Sequence, residues 1–210
     1  MKTHNISCIE VGKEHPIIFG TESVKAILEG RKTQTRRVIK PQPINADYWT
    51  FHQDTPFNGA FYPNTDNALP KLLKCPYGQV GDRLWVKETW WEDSGDIYFK
   101  VDCPTMPTNM HFEKGKWKSA LFMPRKFSRI NLEITGLRVE RLQEITGEDA
   151  ITEGFLTYFG TKSYDEYKMG TLMHSPISQF TQYWDSLNAK RGYGWETNPW
   201  VWVIEFKILQ

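Results

Sequence analysis

Gly30-Arg31-Lys32-Thr33-Gln34-Thr35-Arg36-Arg37-Val38 decides how the chain is read. Just upstream, Val24, Ile27 and Leu28 recur at helical spacing behind Thr21, a residue type that caps helices, and Gly30 supplies the stop. From Arg31 the pattern alternates instead. Thr33, Thr35 and Arg37 share one side, Gln34, Arg36 and Val38 the other, and Lys32 stands at the entrance of a strand. Arg31, Lys32, Arg36 and Arg37 bring four cations with no acid among them. A cationic strand beside hydroxyls suits phosphate or carbonyl oxygens. The same pattern also suits a solvated edge strand that charge keeps from aggregating.

Working outward, Pro16–Phe19 reads as a short buried strand before the helix. Gly81-Asp82 is a turn signal that feeds a strand from Arg83 to Trp90. Arg129–Leu142 alternates as a long strand or hairpin arm, and Gly136 allows a bend or bulge in it. Thr146-Gly147-Glu148-Asp149 has capping-box spacing before a short helix that stops at Gly154. Ser175-Pro176 opens another helix, with Phe180, Tyr183, Trp184 and Leu187 on one face. Trp200–Leu209 alternates as the last strand.

Two stretches, Ile39–Gln79 and Asp93–Ser128, are rich in prolines, turn residues or charge and lack periodicity, so both read as insertions. The predicted fold class is α+β in a single domain over 1–210. Regular βαβ alternation is missing, and a small, partly open mixed β-barrel with flanking helices fits better than a doubly wound sheet.

Composition narrows the function classes. The 210 residues carry 26 Lys and Arg against 25 Asp and Glu, which excludes a histone-like polycation or an acidic tail. Three cysteines, Cys8, Cys75 and Cys103, make no disulfide framework and point to a reducing compartment. Met1–His15 has no apolar core of a signal peptide, so a cytoplasmic location is expected, with no membrane partner. Phosphate-loop, dinucleotide, zinc-protease and serine-hydrolase motifs are all missing from the sequence, and no His or Cys grouping has metal-ligand spacing. Neither metal nor organic cofactor is called for.

Aromatic residues make up 14% of the chain, a payload that serves packing and base stacking alike. Trp85, Trp90 and Trp91 flank Lys87 and Glu88. Alternation sets Trp85 and Lys87 on one side, suited to stacking beside a basic groove, and Leu84, Val86 and Glu88 on the other. If the second side is core, Glu88 needs a cationic partner, for which Arg37 is the candidate. Trp184, Trp195, Trp200 and Trp202 follow helix or strand periodicity and read as packing residues.

Ile27 through Arg37, then Gly81-Asp82-Arg83-Leu84-Trp85-Val86, then the closing Val201–Phe206, together resemble the ASCH domain of the PUA-like superfamily. The set is similar to the longer ASCH proteins common in bacteriophages and prophages, whose setting is the bacterial host cytoplasm. The resemblance implies a PUA-like β-barrel associated with RNA and modified nucleosides. One compact bacterial member removes the acetyl group of N4-acetylcytidine with a lysine, a threonine three residues later and a distant glutamate. These fall here on Lys32, Thr35 and Glu153.

The resemblance thus implies amide hydrolysis in which Thr35 attacks, Lys32 takes its proton and Glu153 relays it to the leaving amine. Lysine serves as a base only if burial or neighbouring cations lower its pKa from about 10.4. Arg31, Arg36 and Arg37 would supply such charge. Glu153 is therefore expected at the leaving nitrogen or a water, not merely paired with the lysine. The alternatives are a non-catalytic module that binds RNA or a modified base through the same cleft, and a ribonuclease. Either way the expected partner is a nucleoside or single-stranded RNA.

Overall fold

The computed structural model describes residues 12–43, 49–52, 60–63, 73–103, 117–155 and 175–209. Cys8 and the basic residues Lys114 and Lys116 lie outside them. The fold is mixed α+β. β1 (Glu14–Ile18) leads into α1 (Thr21–Leu28), and β2 (Gln34–Val38) follows at once. Gly20, rather than Thr21, is the N-cap of α1, and Gly30 ends the turn behind it with a φ of 72°.

The stretch expected to be a structureless insertion carries strands of its own. β3 (Trp49–His52), β4 (Ala60–Pro63) and β5 (Leu73–Lys74) pair antiparallel as a three-stranded sheet. β6 (Arg83–Lys87) is shorter than its sequence pattern predicts. The chain leaves it at Glu88, and Trp90-Trp91 open a separate hairpin, β7 (Trp90–Asp93) with β8 (Asp96–Phe99). Its two-residue turn uses Ser94 and Gly95, both at positive φ, as a tight hairpin turn requires. Short 3-10 turns at Ala120–Phe122 and Arg125–Phe127 precede the long β9 (Asn131–Arg141).

α2 (Gly147–Thr152) starts at the predicted capping box, in which Thr146 and Asp149 exchange both hydrogen bonds. α3 (Pro176–Asn188) is capped by the Ser175 hydroxyl, which accepts from the Ser178 N–H at 3.2 Å. Phe180 and Trp184 are buried on α3 as expected, but Leu187 is exposed and Asn188 takes the inward place. β10 (Trp200–Leu209) completes the main sheet.

That sheet has the order β1-β6-β9-β10-β2, with β1 and β6 parallel and the remaining neighbours antiparallel. β1 and β2 end the ladder, and no strand pair joins them among the described residues, so the sheet is open. A side chain spans the gap instead. Arg37 of β2 donates to the Ile18 carbonyl of β1 at 2.7 Å. The bulge foreseen at Gly136 is present: Glu205 faces Gly136 while Phe206 faces Ile134, leaving Thr135 as the extra residue in β9.

β10 is buried on both faces. Trp202, Ile204 and Phe206 enter a cluster with Ile17, Phe19 and Leu84, while Val201 and Val203 meet Ala150, Phe180 and Trp184 of the two helices. Each fully buried aliphatic side chain contributes about 1.5–3 kcal/mol. The register then sets the faces of β2. Thr35 and Arg37 lie opposite Ile204 and Trp202, whereas Arg36 lies opposite Val203 on the helix side.

Candidate functional site

The segment Arg31–Thr33 docks on the C-terminal end of α2. The Thr33 N–H donates to the Thr152 carbonyl at 2.9 Å, the Lys32 ammonium to the Glu153 carbonyl at 2.8 Å, and Arg31 to the Gly154 carbonyl at 2.7 Å. Three carbonyls left over at a helix end are thereby satisfied, two of them by cations. Only glycine permits so close an approach at 154. Its φ is 101°, and a Cβ there would stand 2.9 Å from the Ala26 Cβ and 3.3 Å from the Lys32 Cβ.

Lys32 also meets the Glu153 carboxylate, with Nζ 2.6 Å from Oε2, and each side chain is only 4% exposed. The other oxygen, Oε1, lies 3.4 Å from Nη1 of Arg36, whose side chain is 0% exposed. Arg36 further pairs with Glu140 and with Asp149, the latter at 3.3 Å. Arg138 extends the network to Glu140, Asp149 and Glu205. The cationic strand is therefore not a solvated edge: Lys32, Gln34, Thr35 and Arg36 are all buried. Burial pushes the Lys32 pKa down. The Glu153 charge and hydrogen bond oppose that shift, and Arg37 and Arg36 add to it.

Thr35 sits on the sheet face of Ile204, and among the described residues its hydroxyl makes no hydrogen bond to Lys32 or Glu153. Arg37 shares that face and stacks 5.1 Å from the centroid of Phe19. The Lys32 ammonium lies 5.8 Å from the same ring. Glu153 thus bridges Lys32 and Arg36, while Phe19 lies beside both Lys32 and Arg37. A hollow of about 360 Å³ opens nearby, walled by Thr33, Gln34, Asp149, Thr152, Glu205 and Phe206 among others. Lys32, Thr35 and Glu153 do not line it.

The remaining candidates lie elsewhere. Glu88 is buried on the inner side of its segment, as alternation predicts, but its partner is Arg129, not Arg37. Arg129 binds both Glu88 oxygens, at 3.0 and 3.1 Å, and also reaches Asp102 at 2.6 Å. Arg37 is committed to the Ile18 carbonyl and to Phe19. Trp85 and Lys87 face outward, with the ammonium 5.5 Å from the indole centroid. Arg31 pairs with Glu29 at the rim. Burial raises the Cys75 thiol to about 12, which leaves it no nucleophile at neutral pH. The described residues include no group of three or more His, Cys, Asp or Glu placed to hold a metal ion, and no helix long and apolar enough to cross a membrane.

Glu140, Arg138 and Phe19 are contributors that the sequence pattern does not single out. Arg138 and Glu140 alternate with Leu137 and Val139 along β9, which marks a charged face but no partner. Asp149 has a second role beyond its cap. Its burial would raise the carboxyl pKa, but the Thr146 N–H, the Gln34 amide and the Arg36 charge outweigh this and hold it at about 2. A folded-state value below the unfolded value of about 3.9 stabilises the fold above about pH 4, and that contribution drains away as the pH falls toward 2. Asp149→Asn should therefore flatten the pH dependence of stability in this window, read by urea denaturation at each pH. An unchanged acid limb would refute the assignment.

No family model matches the chain, and no curated protein does. Among solved structures, the ASCH domain from Lactobacillus crispatus JV V101 aligns over 93% of this chain and 79% of its own, at 13% identity and a TM-score of 0.37. A likeness of that size carries no argument about fold or function.

Proposed function

We propose that the chain is an ASCH-type, PUA-like protein, a single domain with two insertions, that recognises RNA or a modified nucleoside and hydrolyses the amide of N4-acylated cytidine. Support comes first from the sequence motifs, whose three segments run into β2, β6 and β10 of one sheet. The observation that carries the reading is the buried Lys32–Glu153 pair at 2.6 Å, three residues before a buried threonine whose hydroxyl has no hydrogen-bond partner among the described residues. An ammonium held out of water, with its pKa lowered by burial, releases its proton more readily than an exposed lysine.

In the proposed reaction, Lys32 Nζ takes the Thr35 hydroxyl proton as the oxygen attacks the acyl carbon. The C–N4 bond breaks, and N4 receives a proton passed through Glu153, so cytidine leaves. Water then attacks the acyl-threonine ester, Lys32 takes its proton, and the carboxylic acid departs with Thr35 restored. Glu153 works here through its contact with the lysine, not apart from it.

A second reading has one observation in its favour. Lys32 and Arg36 both pair with Glu153, as in a purely structural ion network, and Thr35 is bonded to none of them. A non-catalytic binding module would then use Arg31, Arg37, Trp85 and Lys87. Turnover of N4-acetylcytidine separates the two. Lys32→Ala should lower kcat/KM about a hundredfold, and Thr35→Val, which leaves the ion network intact, should fall as far. Wild-type turnover in Thr35→Val would refute the hydrolytic mechanism.

A further inference from the structure

The 3-10 turn at Ala120–Phe122 presents two large apolar side chains to solvent, Leu121 at 57% and Phe122 at 74% exposure. The turn is held firmly. Ala120 is buried, the Ser119 carbonyl accepts from the Phe122 N–H at 3.1 Å, and the Lys87 ammonium donates to the Leu121 carbonyl. Lys87 reaches it from the outer face of β6, beside Trp85. Arg125 lies 5.8 Å from the same indole centroid, and Lys126 stands on the next turn. Glu14 answers the charge of Arg125, with both contacts at 3.0 Å, which leaves Lys87 and Lys126 without a carboxylate partner among the described residues.

This face runs into the candidate site. Ile18 is the register neighbour of Lys87, and the Phe19 N–H donates to the Lys87 carbonyl at 3.1 Å. The Ile18 carbonyl accepts from Arg37, and the Phe19 ring lies beside the Lys32 ammonium. One strand thus separates the exposed aromatic and basic surface from the buried lysine.

We infer that the outer face of β1 and β6, with the Leu121–Phe122 turn, is a track for single-stranded RNA that leads to the Lys32 site. Flat apolar rings beside ammonium groups that lack a carboxylate match bases beside phosphates, and an exposed ring stacks only on an unpaired base. The inference rests on the nucleoside-or-RNA reading above and sharpens it: besides the free nucleoside, the site takes a nucleotide within a strand, and the track binds the flanking residues of that strand.

The test is fluorescence anisotropy with a short fluorescein-labelled oligocytidylate. Phe122→Ala should weaken binding about tenfold, the loss of one stacked base. Lys126→Ala should lower the slope of log K against log salt by about 0.7, one phosphate contact on a single strand. Both variants should turn over free N4-acetylcytidine at the wild-type rate. Wild-type affinity and salt slope in both variants overturns the track while leaving hydrolysis untouched. Phe122-dependent RNA binding without any turnover upholds the track and removes the hydrolase. If Phe122→Ala instead dissociates a dimer in sedimentation, with RNA affinity unchanged, the face is a protein contact and the inference fails.

Discussion

Glu153→Ala should lower the free energy of unfolding by about 3–5 kcal/mol, read by urea denaturation near neutral pH. The substitution deletes the carboxylate that Lys32 and Arg36 share; Arg36 keeps Glu140 and Asp149, but the Lys32 ammonium stays buried with no carboxylate partner among the described residues. Neither can swing into water, because Lys32 is pinned to the Glu153 carbonyl and Arg36 is fully enclosed. The penalty is that of the lysine charge left behind rather than of the bond removed. Replacing both partners of the pair by apolar residues of similar size, Lys32→Met with Glu153→Leu, should recover most of the loss. That double variant would be stable and devoid of the proposed amidase activity, which separates fold from chemistry. A loss below about 1 kcal/mol in Glu153→Ala would show that water reaches the pair.

Trp202→Ala should cost about 3–5 kcal/mol by the same measurement. The indole is nearly inaccessible and lies in the cluster that joins β1, β6, β9 and β10. Its strand is paired on both sides, so the backbone cannot close around the hole. Arg37 is its register neighbour on β2, and a settling of this region would shift the guanidinium that spans to Ile18. A loss under about 1.5 kcal/mol would mean that neighbouring side chains refill the space.

Features written in neighbouring residues are legible from the amino-acid order alone. The glycine stop of α1, the Thr146–Asp149 box, the Ser175 cap and the bulge beside Gly136 each depend on a few adjacent positions. Alternation likewise places Leu84, Val86 and Glu88 inward and Trp85 outward. The same local rules misjudge Leu187, because the inward face of α3 is set by what lies beneath it. They also misjudge the stretch around β3–β5, where short strands interrupted by turn residues leave too brief a pattern to register.

The candidate site divides along the same line. A lysine three residues before a threonine at the mouth of a strand, and a glutamate where a short helix ends at glycine, are properties of the chain as written. That Lys32 meets Glu153, 121 positions away, that Arg36 is enclosed by carboxylates from β9 and α2, and that Glu88 is served by Arg129 are outcomes of packing. Backbone propensity and side-chain period act over a few residues, so the sequence alone could define them. The choice of partner for a buried charge is made by whichever opposite charge the sheet and helices bring within reach, and only the assembled tertiary structure decides that.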